Sequence, residues 1–260
     1  ACEAIISFVT GLMHGLLFCT RSETSEKAPA NRRRTGCRNF AKACIRKTES
    51  LSANKVIRPM LLTTLDLIGT FVFALSGGVR AVENRMDPFG VVFLSFVAAV
   101  TGGLMRDVLI GALPPIAIQS EAYVFLAIVA GTICFYAYET IIKLARPVAV
   151  FDAIGLGLFC VVGAQKALDA GLSPVMSALL GMLSAIGGGM AADILTARPP
   201  MVLQKEIYAL AALAGAGLYT LGHQSGIRDM FLAPLGALLA TSLRLIAMNK
   251  DWHLPRAKSE

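Results

Sequence analysis

Apolar stretches long enough to cross a lipid bilayer recur along the chain after residue 60. A transmembrane helix needs roughly 17–25 predominantly apolar residues, and seven such stretches are present. Only 16% of the residues are charged, whereas soluble domains carry about 25%. The sequence therefore predicts an all-α membrane protein and argues against a soluble enzyme or a disulfide scaffold. The predicted spans are residues 61–82, 89–111, 122–143, 150–170, 174–196, 205–222 and 229–248.

The first six spans contain an internal duplication. With an offset of 86 residues, Asp66 aligns with Asp152 and Asp107 with Asp193. Matches of Asp are rarer by chance than matches of Gly and Ala in apolar sequence. Each copy holds three spans, an odd number, so the second copy enters the membrane from the opposite side. The prediction is a membrane domain over 61–250, with inverted three-helix repeats at 61–146 and 147–225 and a seventh helix at 227–248.

Adjacent glycines lie inside the second and fifth spans. Each glycine costs a helix interior about 1 kcal/mol relative to Ala, so the runs predict helix breaks. Unpaired backbone in a bilayer is tolerated only where it is buried in protein or lines a wet cavity, and paired broken helices point to a transport site. The alternative is that the glycines only let helices cross closely. The oxygens predicted to line the pathway belong to Thr101, Gly102, Gly103, Ser184, Gly187, Gly188 and Gly189.

Four charged residues fall inside or at the ends of predicted spans, where each costs on the order of 3 kcal/mol. They are Arg106, Asp107, Lys166 and Asp193. Consecutive residues do not face each other on a helix, so we expect the cross-repeat pairs Arg106–Asp193 and Lys166–Asp107. The aspartates would attract cations, and Arg106 and Lys166 would limit occupancy or hold a gate shut. The alternative is an ion-pair network that only locks the two halves together.

Asp66 and Asp152 stand at the starts of their predicted spans. An acidic side chain is favourable at a helix N-terminus, so capping is the preferred interpretation of both residues over a functional role.

No catalytic or metal-binding pattern is present. The six cysteines form no CxxC pair, and the three histidines are isolated, so free thiols and no metal or cofactor are expected. The chain lacks HExxH, a Ser/His pair and paired catalytic carboxylates, so we do not expect an enzyme. A purely structural membrane protein is a further alternative.

Several separated motifs resemble the trimeric intracellular cation channel superfamily, and most closely its bacterial branch, whose repeat is also catalogued as a glycine-transporter domain. They include Asp66-Leu-Ile-Gly, Gly102-Gly103-Leu-Met-Arg106-Asp107 and Asp152-Ala-Ile-Gly, and the likeness extends over residues 61 to about 255. The resemblance implies seven helices per protomer and a homotrimer. It also implies one pathway in each protomer, lined by the two glycine-broken helices and permeable to potassium or other monovalent cations.

One residue departs from the pattern of this family. The second repeat usually carries an Arg-Asp pair as well, and here the arginine position is Ala192. A secondary transporter of glycine or another small solute is the alternative function, because half-helix N-termini would suit the carboxylate of an amino acid and an aspartate its ammonium group.

The two tails carry most of the net charge. Residues 1–60 hold 11 Lys and Arg against 4 Asp and Glu, whereas residues 61–248 hold 10 against 11. A nucleic-acid-binding domain needs a clustered basic face, and the central region has none, so no nucleic-acid partner is expected. Residues 1–60 suit a disordered tail, a targeting segment or an extra membrane helix with a headgroup-binding basic stretch. Residues 251–260 are predicted to be a C-terminal tail.

Loop charges orient the predicted helices in the membrane. The loops opposite the C-terminus carry only Lys166 and Arg228, which places the C-terminus in the cytoplasm. A bacterial inner membrane is the preferred location by resemblance, with an organelle membrane as the alternative. The basic residues assigned to the C-terminal face are Arg80, Arg85, Lys143, Arg146, Arg198, Lys205, Arg244, Lys250, Arg256 and Lys258.

Overall fold

The computed structural model describes residues 60–141, 147–204 and 207–250. All regular secondary structure in these ranges is helical, and the predicted tails lie outside them except at Met60. The helices are α1 Met60–Glu83, α2 Pro88–Leu109, α3 Ile116–Gln119, α4 Glu121–Tyr136, α5 Tyr138–Ile141, α6 Pro147–Asp169, α7 Pro174–Leu195, α8 Met201–Gln204, α9 Ile207–Gln224 and α10 Asp229–Asn249.

Five of these helices are long and apolar enough to cross a membrane, namely α1, α2, α6, α7 and α10. Helix α4 is also apolar but has only 16 residues, because the predicted third span divides at Ala137 into α4 and the short α5. The predicted sixth span corresponds to α9, which has 18 residues. The described chain is therefore an all-helical, multi-pass membrane protein.

Helices α2 and α7 begin in the same way at equivalent positions of the duplication. The Asp87 carboxylate accepts a hydrogen bond from the backbone N–H of Gly90 at 2.7 Å. The Ser173 hydroxyl accepts one from the N–H of Met176 at 3.4 Å. A proline follows each cap, at the position where a missing N–H costs nothing. Both copies thus use one local solution to start a 22-residue helix.

The core is built from small residues around two phenylalanines. The rings of Phe73 and Phe159 lie 5.2 Å apart between centroids. A Cβ added to Gly69 would come within 2.8 Å of the Phe159 ring, and one added to Gly155 within 2.8 Å of the Phe73 ring. Each half therefore packs its phenylalanine over a glycine of the other half. Around this centre, α7 packs against α6, α2 and α9, and α10 packs against α9 and α6.

The predicted helix breaks are wrong. Helix α2 runs without interruption through Gly102-Gly103, and α7 through Gly187-Gly188-Gly189. The reason is that Gly102, Gly187 and Gly188 lie where these two helices touch. A Cβ at Gly102 would overlap the carbonyl oxygen of Ser184, so close backbone contact replaces what helix propensity loses.

The predicted capping by Asp66 and Asp152 is also wrong. Helix α1 begins at Met60 and α6 at Pro147, so both aspartates lie beyond the first turn. Asp66 is 3% exposed and Asp152 is fully buried. Apolar residues precede both aspartates, so hydropathy did not mark where the two helices begin. Both carboxylates lie in the protein interior.

Candidate functional site

The contact between α2 and α7 is the centre of the candidate site. The Ser184 hydroxyl of α7 donates a hydrogen bond to the carbonyl oxygen of Gly102 in α2 at 3.3 Å. A Cβ at Gly187 would lie 3.0 Å from the Cα of Gly102. The Thr101 hydroxyl donates to the Val97 carbonyl of its own helix at 2.7 Å. The crossing is therefore tight, and the predicted hydroxyl groups are engaged within it.

The first charge cluster consists of Asp66, Arg106, Asp107, Tyr123 and Lys166. The Asp66 carboxylate accepts a hydrogen bond from the Tyr123 hydroxyl at 2.5 Å and lies 3.5 Å from the Arg106 guanidinium. The Nε of Arg106 donates to Asp107 at 2.8 Å, and the Lys166 ammonium lies 3.9 Å from the same carboxylate oxygen. Two carboxylates are thus balanced by two cations.

The second charge cluster consists of Arg80, Asp152, Asp193, Tyr208 and Arg244. Arg80 pairs with Asp193 at 3.0 Å and donates to the carbonyl oxygen of Gly189 at 3.1 Å. The Arg244 guanidinium lies 4.7 Å from the centroid of the Tyr208 ring. Again two carboxylates are set against two cations, which lowers the cost of burying charge in an apolar bundle.

The ion pairs that join the two halves are reciprocal. Lys166 of the second half reaches Asp107 of the first, and Arg80 of the first half reaches Asp193 of the second. Arg80 aligns with Lys166 at the same offset that aligns the two aspartates. The structure therefore confirms the predicted pair Lys166–Asp107, although at 3.9 Å it is a long contact.

The predicted pair Arg106–Asp193 is wrong, as is the prediction that Arg106 and Asp107 do not meet. Arg80 occupies Asp193, and Arg106 binds Asp66 and its own neighbour Asp107. Consecutive Cα positions do point apart on a helix, but the long arginine side chain lets its Nε turn back to the next carboxylate.

The second oxygens of Asp107 and Asp193 each hold a short helix. Asp107 accepts a hydrogen bond from the backbone N–H of Ile116, the first residue of α3, at 3.2 Å. Asp193 accepts one from the N–H of Met201, the first residue of α8, at 2.9 Å. Each carboxylate thus binds a cation through one oxygen and a backbone amide through the other.

The glycines next to the crossing face the two clusters. A Cβ at Gly103 would lie 3.5 Å from the Arg106 guanidinium, and one at Gly189 would lie 2.9 Å from the Asp152 carboxylate. In contrast, Gly188 faces Ala98 of α2. The structure thus brings the predicted site residues together around one helix crossing, with a charge cluster beside each of two glycines.

Six members of these clusters were not predicted as site residues. They are Asp66 and Asp152, which were interpreted as caps, and Arg80, Tyr123, Tyr208 and Arg244. The two tyrosines align in the duplication with one residue dropped, which is a usable signal. Arg80 and Arg244 were assigned to loops, but both lie within helices and are 2% exposed. They therefore do not count as loop charges in the orientation argument. Among the described residues no group of His, Cys, Asp and Glu is placed to hold a metal ion.

Known proteins similar to this chain include membrane proteins and channels. A family model described as Glycine transporter matches the chain twice, over residues 63–139 and 149–224. A "UPF0126 membrane protein" of Deinococcus radiodurans is 38% identical over 193 residues, which is 74% of this chain and 89% of the relative. The "UPF0126 inner membrane protein YadS" of Escherichia coli is 34% identical over 203 residues, 75% of this chain and 94% of the relative.

A solved structure is similar over the same region. The trimeric intracellular cation channel orthologue from Rhodobacter sphaeroides is 30% identical and superposes with a TM-score of 0.71, covering 74% of this chain and 99% of the solved chain. The two segments matched by the family model begin 86 residues apart, which agrees with the offset of the internal duplication.

Proposed function

The chain belongs to the bacterial branch of the trimeric intracellular cation channel superfamily, which carries a repeated glycine-transporter domain, and from this premise we propose that it conducts potassium and other monovalent cations. The proposed pathway lies within each protomer between α2 and α7. The proposal includes seven membrane helices in two inverted repeats plus α10, assembly as a homotrimer, and residence in a bacterial inner membrane.

The α2–α7 crossing is the observation that carries this proposal. In the arrangement described, glycines let the two backbones touch, so the pathway is shut there. Separation of α2 from α7 would turn the Ser184 hydroxyl and the carbonyl oxygens of Gly102, Ser184 and Ala98 toward the gap. Carbonyl and hydroxyl oxygens replace part of a cation's hydration shell in conducting pores. Continuous helices can therefore supply the ion-facing oxygens that broken helices were predicted to supply.

The charge clusters support different roles for their members in this proposal. Asp107 is held by three partners and Asp193 by two, which suits them to fixing the walls of the pathway as well as attracting cations. Arg106 is fully buried and holds two aspartates. The Lys166 side chain is 22% exposed, and its nearest carboxylate oxygen is 3.9 Å away. Lys166 is thus the least constrained cation and the proposed gating or occupancy-limiting group.

A transporter of glycine or another small solute is the second candidate. The observation in its favour is that the second cluster holds unused donors and acceptors. Within the described residues, the Nη2 of Arg80 and the Nε of Arg244 have no hydrogen-bond partner, and the Asp152 carboxylate can accept more than the Tyr208 hydroxyl beside it. A zwitterion needs both kinds of group at one place.

Purified protein in liposomes separates the two functions. The channel proposal expects unitary currents in asymmetric potassium and sodium, and potassium flux that rises with concentration without saturating. Lys166→Met should change open probability or conductance, whereas Arg228→Met, an exposed residue at the start of α10, should not. Saturable glycine counterflow without unitary currents would overturn the channel proposal in favour of the transporter.

A further inference from the structure

The last helix, α10, lies outside both copies of the duplication but contributes Arg244 to the second charge cluster. Arg244 is 2% exposed, and its guanidinium stands over the Tyr208 ring. Its Nε makes no hydrogen bond within the part of the chain that the structure describes. A buried guanidinium in an apolar bundle needs a negative charge nearby. The two carboxylates of this cluster are Asp152 and Asp193.

Asp193 is already held on both sides. One oxygen pairs with Arg80 at 3.0 Å, and the other accepts the N–H of Met201 at 2.9 Å. Asp152 is fully buried, and the Tyr208 hydroxyl beside it is neutral and cannot balance its charge. The cationic neighbours of Asp152 are Arg80 and Arg244. Because Arg80 is shared with Asp193 and the Gly189 carbonyl, it cannot neutralise Asp152 alone.

The first cluster shows what the second one would lack without Arg244. There, Arg106 and Lys166 balance Asp66 and Asp107. The residue equivalent to Lys166 in the second cluster is Arg80, but the residue equivalent to Arg106 is Ala192, which is fully buried. Without α10, the second cluster would therefore bury two carboxylates with a single guanidinium, that of Arg80.

We infer that Arg244 of α10 supplies to Asp152 the positive charge that Arg106 supplies to Asp66, and so replaces the arginine that the second copy lacks at Ala192. Helix α10, which lies outside both repeats, therefore contributes a required charge to the second cluster. Arg244 is a positioning residue, which holds Asp152 in its buried place.

The surroundings of Gly103 and Gly189 agree with the proposal that Arg244 replaces the arginine missing at Ala192. A Cβ at Gly103 would meet the Nη2 of Arg106 at 3.5 Å. A Cβ at the equivalent Gly189 would instead meet the Asp152 carboxylate at 2.9 Å and the Tyr208 hydroxyl at 3.0 Å. In the second copy the acid and the tyrosine stand where the first copy has its arginine. The replacing cation comes from α10, across the ring of Tyr208.

A double-mutant cycle on stability tests the inference, independently of what the protein transports. Arg244→Met removes the charge but keeps an apolar stem, and should lower the melting temperature of the full chain in detergent by roughly 10 °C, because an unpaired carboxylate stays buried. In the Asp152→Asn background the same substitution should lower it by less than half as much, because no charge is left to neutralise.

Two matched variants make the test specific. In the Asp193→Asn background, Arg244→Met should lose less than in the native protein but more than in the Asp152→Asn background, because Arg80, released from Asp193, can then partly neutralise Asp152. Arg228→Met, at the exposed N-cap position of α10, should leave the melting temperature within about 2 °C. If Arg244→Met cannot be purified, recovery of folded protein on adding Asp152→Asn is the same test. An equal loss in the native and Asp152→Asn backgrounds, or no recovery, would mean that Arg244 acts only by packing on Tyr208, and would overturn the inference.

Discussion

At the scale of single residues, glycine acts here through contact and not through helix breaking. A glycine in a helix interior costs about 1 kcal/mol relative to Ala, which is small beside the close packing that it permits between two helices in lipid. Gly102 and Gly188 each face a backbone carbonyl of the opposite helix. Backbone atoms cannot move aside as a flexible side chain can, so a larger residue at either position must push the two helices apart.

Alanine at these two glycines should therefore destabilise the protein. Gly102→Ala and Gly188→Ala would each press a methyl group onto a carbonyl oxygen, with an expected cost of about 1–3 kcal/mol. Gly217 is the matched control, because a Cβ there meets nothing within 4 Å. Gly217→Ala should be neutral or stabilise α9 by up to about 1 kcal/mol. Thermal unfolding in detergent measures all three variants, and wild-type stability of Gly102→Ala would contradict the tight crossing.

The sequence identified half of the charged site residues and few of their partners. Hydropathy predicts that four charged residues are buried, because a charged side chain in a transmembrane span is unfavourable in lipid and faces the protein interior. They are Arg106, Asp107, Lys166 and Asp193. Partner choice depends on helix rotation and side-chain reach, which a single sequence does not contain. Arg80 shows the limit: it stands near the end of a span and was assigned to a loop, yet it is 2% exposed.

At the scale of secondary-structure elements, two aspartates connect the long helices to short ones. Asp107 near the end of α2 holds the start of α3, and Asp193 near the end of α7 holds the start of α8. A four-residue helix has little stability of its own, so its position depends on such tethers. The charge clusters therefore reach beyond the spans and order the connections between them.

Removal of either tether should loosen one short helix locally. Hydrogen bonds to a charged group contribute about 1.5–3 kcal/mol, so Asp107→Ala should speed amide exchange at Ile116 by roughly 10–100-fold. Asp193→Ala should do the same at Met201. Asp87→Ala removes a cap from Gly90 and should leave both amides unchanged. Hydrogen exchange read by mass spectrometry on the α3 and α8 peptides checks this, and unchanged exchange at Ile116 would contradict the tethering role of Asp107.

Element boundaries were predicted best where local signals are strong. Asp87-Pro88 and Ser173-Pro174 give α2 and α7 their starts, and these agree with the predicted spans to within a residue. The division of the third predicted span at Ala137 has no such signal, because no proline and no capping pair stands there.

At the scale of the whole molecule, the two halves are interlocked by reciprocal contacts. Phe73 packs on Gly155 while Phe159 packs on Gly69, and Lys166 and Arg80 cross to the aspartate of the other half. Each contact has its counterpart 86 residues away, so neither half is complete without the other. The duplication was visible in the sequence, but α10 was not seen as part of the second half, because Arg244 has no equivalent in either repeat.

Inverted repeats make a prediction about sides of the membrane that parallel repeats do not. The turn after α1 and the turn after α6 occupy corresponding places in the two copies, so the proposed inversion would put them on opposite faces of the membrane. Arg85 and Ala170 are exposed residues of these turns. Arg85 already adopts a positive φ of 55°, so a cysteine there adds no backbone strain.

Single cysteines at the two turns should be labelled from opposite sides. In a background without the native cysteines, Arg85→Cys should react with a membrane-impermeant maleimide only in inside-out vesicles, and Ala170→Cys only in right-side-out vesicles. The parent without cysteines gives the background, and permeabilised vesicles show that both thiols can react. Labelling of both turns from one side would mean that the second copy enters the membrane in the same direction as the first. The reciprocal ion pairs would then need an explanation other than two-fold symmetry in the plane of the membrane.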